Sequence, residues 1–284
     1  MSTYSENAAR PAFDQADNPH RAADRALLAE VVTAVRAAGA AVHARFAAPQ
    51  RLTGLTAVLD ALHANDLASL RPLRAPLERL RPQAGWIEDE LDRGPLPDGE
   101  WWITDPVEGN INHVHGMADW SVTATLVRDN QPVLTAVHVP LTGQTYTAVR
   151  GGGAHVDGCP LRTSAKTELA AAYVATGQAA PGEDAATLDR IGASYAALLR
   201  HALVARVAVP ATMQLIQVAA GQLDAFWQYS DVRSGLVAGG LLVAEAGGTV
   251  TDTEGRPWHL GSTDFLAAAP ALHPAVRAAL AEVP

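Results

Sequence analysis

The run Trp102-Ile103-Thr104-Asp105-Pro106-Val107-Glu108-Gly109-Asn110-Ile111-Asn112-His113-Val114-His115-Gly116 constrains this chain more than any other part of it. An apolar strand ends there in two carboxylates, Asp105 and Glu108, and a glycine opens the next helical turn. Carboxylates at such a corner can hold a hard cation, and an acidic side chain from elsewhere can complete the shell. Backbone N–H groups at the start of the new helix can receive an anion. The layout is that of a metal-assisted phosphate site.

Composition excludes several other classes. At 284 residues and 48% hydrophobic content the chain can build large cores, either as one layered domain or as two joined subdomains. Lys and Arg number 21 against 30 Asp and Glu, a formal charge of -9, which argues against a nucleic-acid partner. Lys166 is the only lysine. One cysteine, Cys159, rules out an intrachain disulfide framework and cysteine-rich metal sites, as in a reducing cytoplasm. No signal peptide is evident, and no apolar run is expected to reach the roughly 20 residues of a membrane span.

Residues 1–20 read as a mobile arm, with Pro11 and Pro19 and no apolar period. From Ala22 to about Phe46, Leu27, Leu28, Val31, Val32, Val35, Val42 and Phe46 follow helical spacing. A second helical stretch runs from about Asp66 to Leu80, where Pro72 and Pro76 predict an interruption. Trp101–Thr104, Ser121–Arg128, Pro132–Val139 and Gln144–Val149 read as strands of an antiparallel meander, with turns at 128–131 and 140–143. Beyond the glycine turn at 151–153, a strand near Ala172–Thr176, helices at about 185–201 and 211–220, a strand at Ala225–Tyr229 and a last long helix at about 235–246 alternate. The expected organisation is an N-terminal arm over 1–20, an α+β subdomain over 21–158 carrying the paired carboxylates, and an α/β subdomain over 159–284.

Several segments together resemble one family. Asp105 to Gly116 is similar to the D-P-I-D-G-T-x-N-F-V-H-G signature of the inositol monophosphatases, relatives of fructose-1,6-bisphosphatase. Arg150-Gly-Gly-Gly-Ala154 with Gly158-Cys-Pro-Leu-Arg-Thr-Ser164, Val218-Ala-Ala-Gly221 with Asp224-Ala-Phe-Trp227, and Glu245-Ala-Gly-Gly248 match further family motifs in order. The resemblance covers Ala22 to the C-terminus. It implies an α/β (α+β) fold, a layered α-β-α-β-α sandwich, usually a homodimer, acting on small phosphate monoesters with Mg²⁺.

Carried over by position, the resemblance implies a first metal site made of Glu88, Asp105 and the carbonyl of Val107. The register of Glu88 could slip to Asp89 or Glu90 in Ile87-Glu88-Asp89-Glu90. The second site departs from the pattern. Glu108 stands for the family's second aspartate, and Gly235 stands where a metal-binding aspartate opens the last long helix, so one Mg²⁺, weak or absent, is expected. Asn110 replaces the threonine that orients water, and His113 replaces the signature phenylalanine. On the substrate side Gln228 replaces a substrate-recognising Glu, and Val209-Pro210-Ala211 replaces a small glycine loop. Asp231 and Arg233 lead into the helix, and the N–H groups of Gly109 and Asn110 would receive phosphate.

Three readings stay open. One is a divergent Mg²⁺-dependent phosphomonoesterase in which Glu88 and Asn110 position water. Another is a repurposed lyase, isomerase or cyclase using Glu88, Glu108, His113 or Asp231 as acid and base. Last is a non-catalytic binding protein. The expected partner is a small-molecule substrate.

Overall fold

A computed structural model describes residues 13, 18–46, 52–87, 94–179, 182–229 and 233–283. The first sheet has seven strands in chain order: β1 (Gly85–Trp86), β2 (Glu100–Glu108), β3 (Ser121–Arg128), β4 (Gln131–Val139), β5 (Gln144–Val149), β6 (Gly153–Val156) and β7 (Cys159–Pro160). Only the β1–β2 pair is parallel. The tight β3–β4 connection turns on Asp129 (φ 50°) and Asn130 (φ 61°), residue types that tolerate the left-handed region a two-residue hairpin demands. The second sheet has five strands in the order β11 (Thr249–Thr251), β12 (Phe265–Ala268), β10 (Ala225–Gln228), β8 (Tyr173–Thr176), β9 (Val204–Val207).

Side-chain alternation stacks these sheets into five layers. Trp102, Val122, Ala124 and Leu126 bury one face of the first sheet against α1 (Arg21–His43) and α2 (Leu55–Leu80). Ile103, Val127 and Val137 point the other way, toward α5 (Ala211–Ala219) and α6 (Arg233–Glu245). Phe226 and Phe265 meet those helices from the second sheet, whose Trp227 and Leu266 face outward. That outer side is covered by α4 (Ala185–His201) and α7 (His273–Leu280). The α-β-α-β-α sandwich expected from the resemblance is therefore the fold. Helix α6 is buried from Arg233 through Ala244, as its nearly uniform apolar composition requires of a helix between two sheets.

Two expectations need correction. Pro72 and Pro76 do not interrupt α2, which runs unbroken from Leu55 to Leu80. Its buried stripe of Asn65, Ser69, Leu73 and Leu77, four residues apart, is held to the sheet strongly enough to outweigh the lost backbone bonds, and Ser69 Oγ donates to Pro106 O at 2.6 Å. The second concerns α1, which is long and apolar enough by length and composition to cross a membrane. Its many alanines count as apolar although the Leu and Val spacing reads as amphipathic. Val31, Val35 and Val42 are nevertheless buried in the protein, and Asp24 is buried in an ion pair with Arg128 at 2.8 Å.

The arm read over 1–20 lies outside the described residues except for Phe13 and Asn18–His20. Phe13 stacks on Trp258 with ring centroids 5.4 Å apart, against the side of α6 where Gly240 leaves room for its ring. Asn18 Nδ2 donates to Asp24 and to Arg150 O.

Candidate active site

Strand β2 carries Asp105 and Glu108 to the end of the first sheet, with an irregular register between them. Gly109 then turns the chain with φ +84° into α3 (Asn110–Val114). Both space and conformation demand glycine here. A Cβ would lie 2.7 Å from Asp119 O and 2.9 Å from the Pro210 ring. Asn112 completes this joint by donating from Nδ2 to Asp119 O and to Val209 O, each at 2.8 Å. The signature corner and the Val209-Pro210-Ala211 loop are thereby one packed unit.

The two carboxyl groups are buried next to each other. Burial pushes the Asp105 carboxyl well above the usual carboxylate range, and the neighbouring Glu108 adds to the shift by repulsion. Val107 N–H donates to Asp105 Oδ1 at 3.0 Å and opposes it. Two acidic groups so placed either share a proton or share a cation. Their all-oxygen donor set fits one hard divalent ion, which would relieve the repulsion. Among the described residues no group of three or more His, Cys, Asp or Glu is gathered for a metal. Glu88, Asp89 and Glu90 lie outside the described residues, as does Asp231.

At the start of α6, Thr212 Oγ1 donates to Gly235 O at 3.1 Å. A Cβ on Gly235 would stand 3.2 Å from both carboxylate oxygens of Glu108. Glu108 and Gly235 therefore share one space. Arg233, buried at the same helix start, donates from Nη2 to Gly94 O at 2.8 Å. Gln228, at the end of β10, is buried beside Gly177, where any side chain would collide with its amide.

Asn110 and His113 face the outer helices. Asn110 Nδ2 donates to Leu62 O (2.9 Å) and Asp66 Oδ1 (2.8 Å), and its Oδ1 accepts from Asn65 Nδ2 at 2.9 Å. His113 Nε2 lies 3.2 Å from Val42 O, which can only accept, so that nitrogen carries the proton and Nδ1 accepts from Asn65 Nδ2 at 2.9 Å. Burial lowers its pKa, which keeps this neutral tautomer. The ring stands edge-on to Trp120 and Phe46. Both nitrogens of the expected acid–base residue are thus taken by α1 and α2.

Sequence reasoning missed Asn65 and Asp66. Burial raises the Asp66 pKa above the ordinary value, although its hydrogen bond to Asn110 lowers it, and its charge acts on Asp105. An Asn-Asp pair within an otherwise amphipathic helix was the available signal.

The inositol monophosphatase family profile matches residues 24–284. The chain belongs to the inositol monophosphatase family. Among its relatives an inositol-1-monophosphatase of Rhizobium meliloti (strain 1021) is 33% identical over 245 residues, covering 84% of this chain and 90% of that protein. A Nus factor SuhB of Pseudomonas aeruginosa is 33% identical over 154 residues, 54% of this chain and 57% of that protein. The solved inositol monophosphatase from Anabaena (Nostoc) sp. PCC 7120 superposes with a TM-score of 0.78 at 24% identity over 92% of this chain and 97% of its own, a likeness of fold. As a member of the inositol monophosphatase family, the chain has homologues that are inositol-1-monophosphatases, which supports enzyme status.

Proposed function

We propose that the protein is a Mg²⁺-dependent phosphomonoesterase with a reduced metal site, acting on a small polar phosphate ester other than inositol monophosphate. The observation that carries this reading is the buried Asp105–Glu108 pair at the end of β2, with Gly235 opposite in place of a further carboxylate. Asp105, the Val107 carbonyl and Glu108 would hold one ion, with Glu88 as an additional donor. The chemistry a bound Mg²⁺ supplies is polarisation of a phosphoryl oxygen and activation of water at neutral pH. The N–H groups of Gly109 and Asn110, where the chain turns into α3, would receive the phosphate. With its amide engaged by Leu62, Asn65 and Asp66, Asn110 positions the signature corner and leaves water orientation to Glu88. Gln228, Arg233 and the rigid Pro210 loop change the substrate side, since a neutral amide rewards a different hydroxyl pattern than a carboxylate does.

The burial of the Asp105 and Glu108 carboxyls side by side, which holds Asp105 well above the usual carboxylate range, favours a second reading, in which the pair works as acid and base without metal on a non-hydrolytic reaction. One assay separates them. Phosphate release from a panel of small phosphomonoesters, inositol 1-phosphate included, is followed with Mg²⁺ and with EDTA. Release that needs Mg²⁺, with inositol 1-phosphate among the poorest substrates, is the expected result. No phosphate release from any ester, with Mg²⁺ or with EDTA, would favour the metal-free, non-hydrolytic pair, and rapid inositol 1-phosphate hydrolysis would restore the ordinary family activity.

A further inference from the structure

We infer that Gly235 is a specificity-determining position whose missing side chain admits the Glu108 carboxylate, so that residues 108 and 235 together set how many divalent cations the site takes. This rests on the metal-dependent reading above. Its basis is steric. A Cβ at Gly235 would come 3.2 Å from each carboxylate oxygen of Glu108 and 3.1 Å from Thr212 Oγ1, so the neighbours must yield by a few tenths of an ångström. Neither is free to do so. Glu108 is 4% exposed and closed in by the protein, and Thr212 is fully buried with its hydroxyl on Gly235 O.

Gly235 is the third residue of α6, and its φ is not in the left-handed region, so the backbone does not call for glycine. Helix propensity by itself favours Ala over Gly. A glycine at a buried helical position with ordinary backbone angles is explained by what it faces, and here it faces the end of a side chain one methylene longer than aspartate. Glu108 thus occupies the volume that a carboxylate on residue 235 would need. The two positions offer the site one carboxylate between them, where a shorter residue 108 and an acidic residue 235 would offer two.

The test is a cycle of variants in the full-length protein. Thermal midpoints are measured in EDTA at pH 7.5 without substrate, so the outcome does not depend on phosphatase activity. Gly235→Ala is expected to lower the midpoint by roughly 2–4 °C in the wild-type background and to raise it in the Glu108→Asp background. The same sign in both backgrounds overturns the inference. Mn²⁺ titration calorimetry then counts ions. Wild type and Gly235→Asp are expected to bind one ion each, and Glu108→Asp with Gly235→Asp to bind two. Two ions on Gly235→Asp alone, or one on the double variant, refutes the assignment of cation number to this pair.

Discussion

Asp105→Asn is expected to lower phosphate release by on the order of 10³-fold or more while making the metal-free protein more stable. Both effects have one origin. The Asp105 carboxyl titrates well above its ordinary value of 3.8 because it is buried beside Glu108, so the folded state holds its proton more tightly than the unfolded chain. That stabilisation is complete below the unfolded pKa and is lost as the pH rises through the folded one. At neutral pH without metal the carboxyl therefore opposes folding. An asparagine keeps the acceptor for Val107 N–H, offers Glu108 a donor, and carries no charge to repel it. In EDTA at pH 7.5 the variant should melt roughly 2–4 °C higher than wild type. Added Mg²⁺ should raise the midpoint of wild type and leave the variant unchanged. A variant that melts lower in EDTA, or one that hydrolyses phosphate at the wild-type rate, contradicts this account of the pair.

Gly109→Ala carries the second large effect. The residue needs φ +84°, and its Cβ would press on the backbone carbonyl of Asp119 and on the Pro210 ring, neither of which can rotate away. The left-handed conformation and the overpacking together cost about 2–5 kcal/mol. Denaturant unfolding should report that loss at unchanged m-value. Because the same residue turns β2 into α3, displacement of the corner should also lower phosphate release by roughly 10²-fold, beyond what the unfolded fraction explains. A stability within about 0.5 kcal/mol of wild type would show that the corner is looser than its geometry indicates.

How much of this was legible beforehand follows from the range of the interactions involved. The strands β2 to β5 are long, rich in β-branched and aromatic residues and end in Asp, Asn and Gly turns, so their local pattern suffices. The strands β9, β11 and β12 are three or four residues long, and β12 is half alanine, leaving too little pattern to read. Both prolines of α2 were visible and misleading, since the packing of Leu73 and Leu77 against the sheet decides that helix. At the site, Asp105, Glu108 and Gly109 could be read because strand, carboxylates and turn are consecutive. Asn65 and Asp66 could not, because their role is defined by Asn110, more than forty positions along the chain. Glu108 and Gly235 were each legible as residues of the expected site. That they share one volume is a fact of the packing between β2 and α6.

On the proposed function the site takes a single cation, on Asp105 and Glu108. Crystals of the full-length protein soaked in Mn²⁺ and inorganic phosphate, measured at a wavelength where manganese scatters anomalously, test it most directly. One anomalous peak is expected within about 2.5 Å of oxygens from both carboxylates, with phosphate beside it. Two well-ordered peaks flanking Asp105 would contradict the reduced site, and the absence of any peak there would contradict a metal-dependent phosphatase.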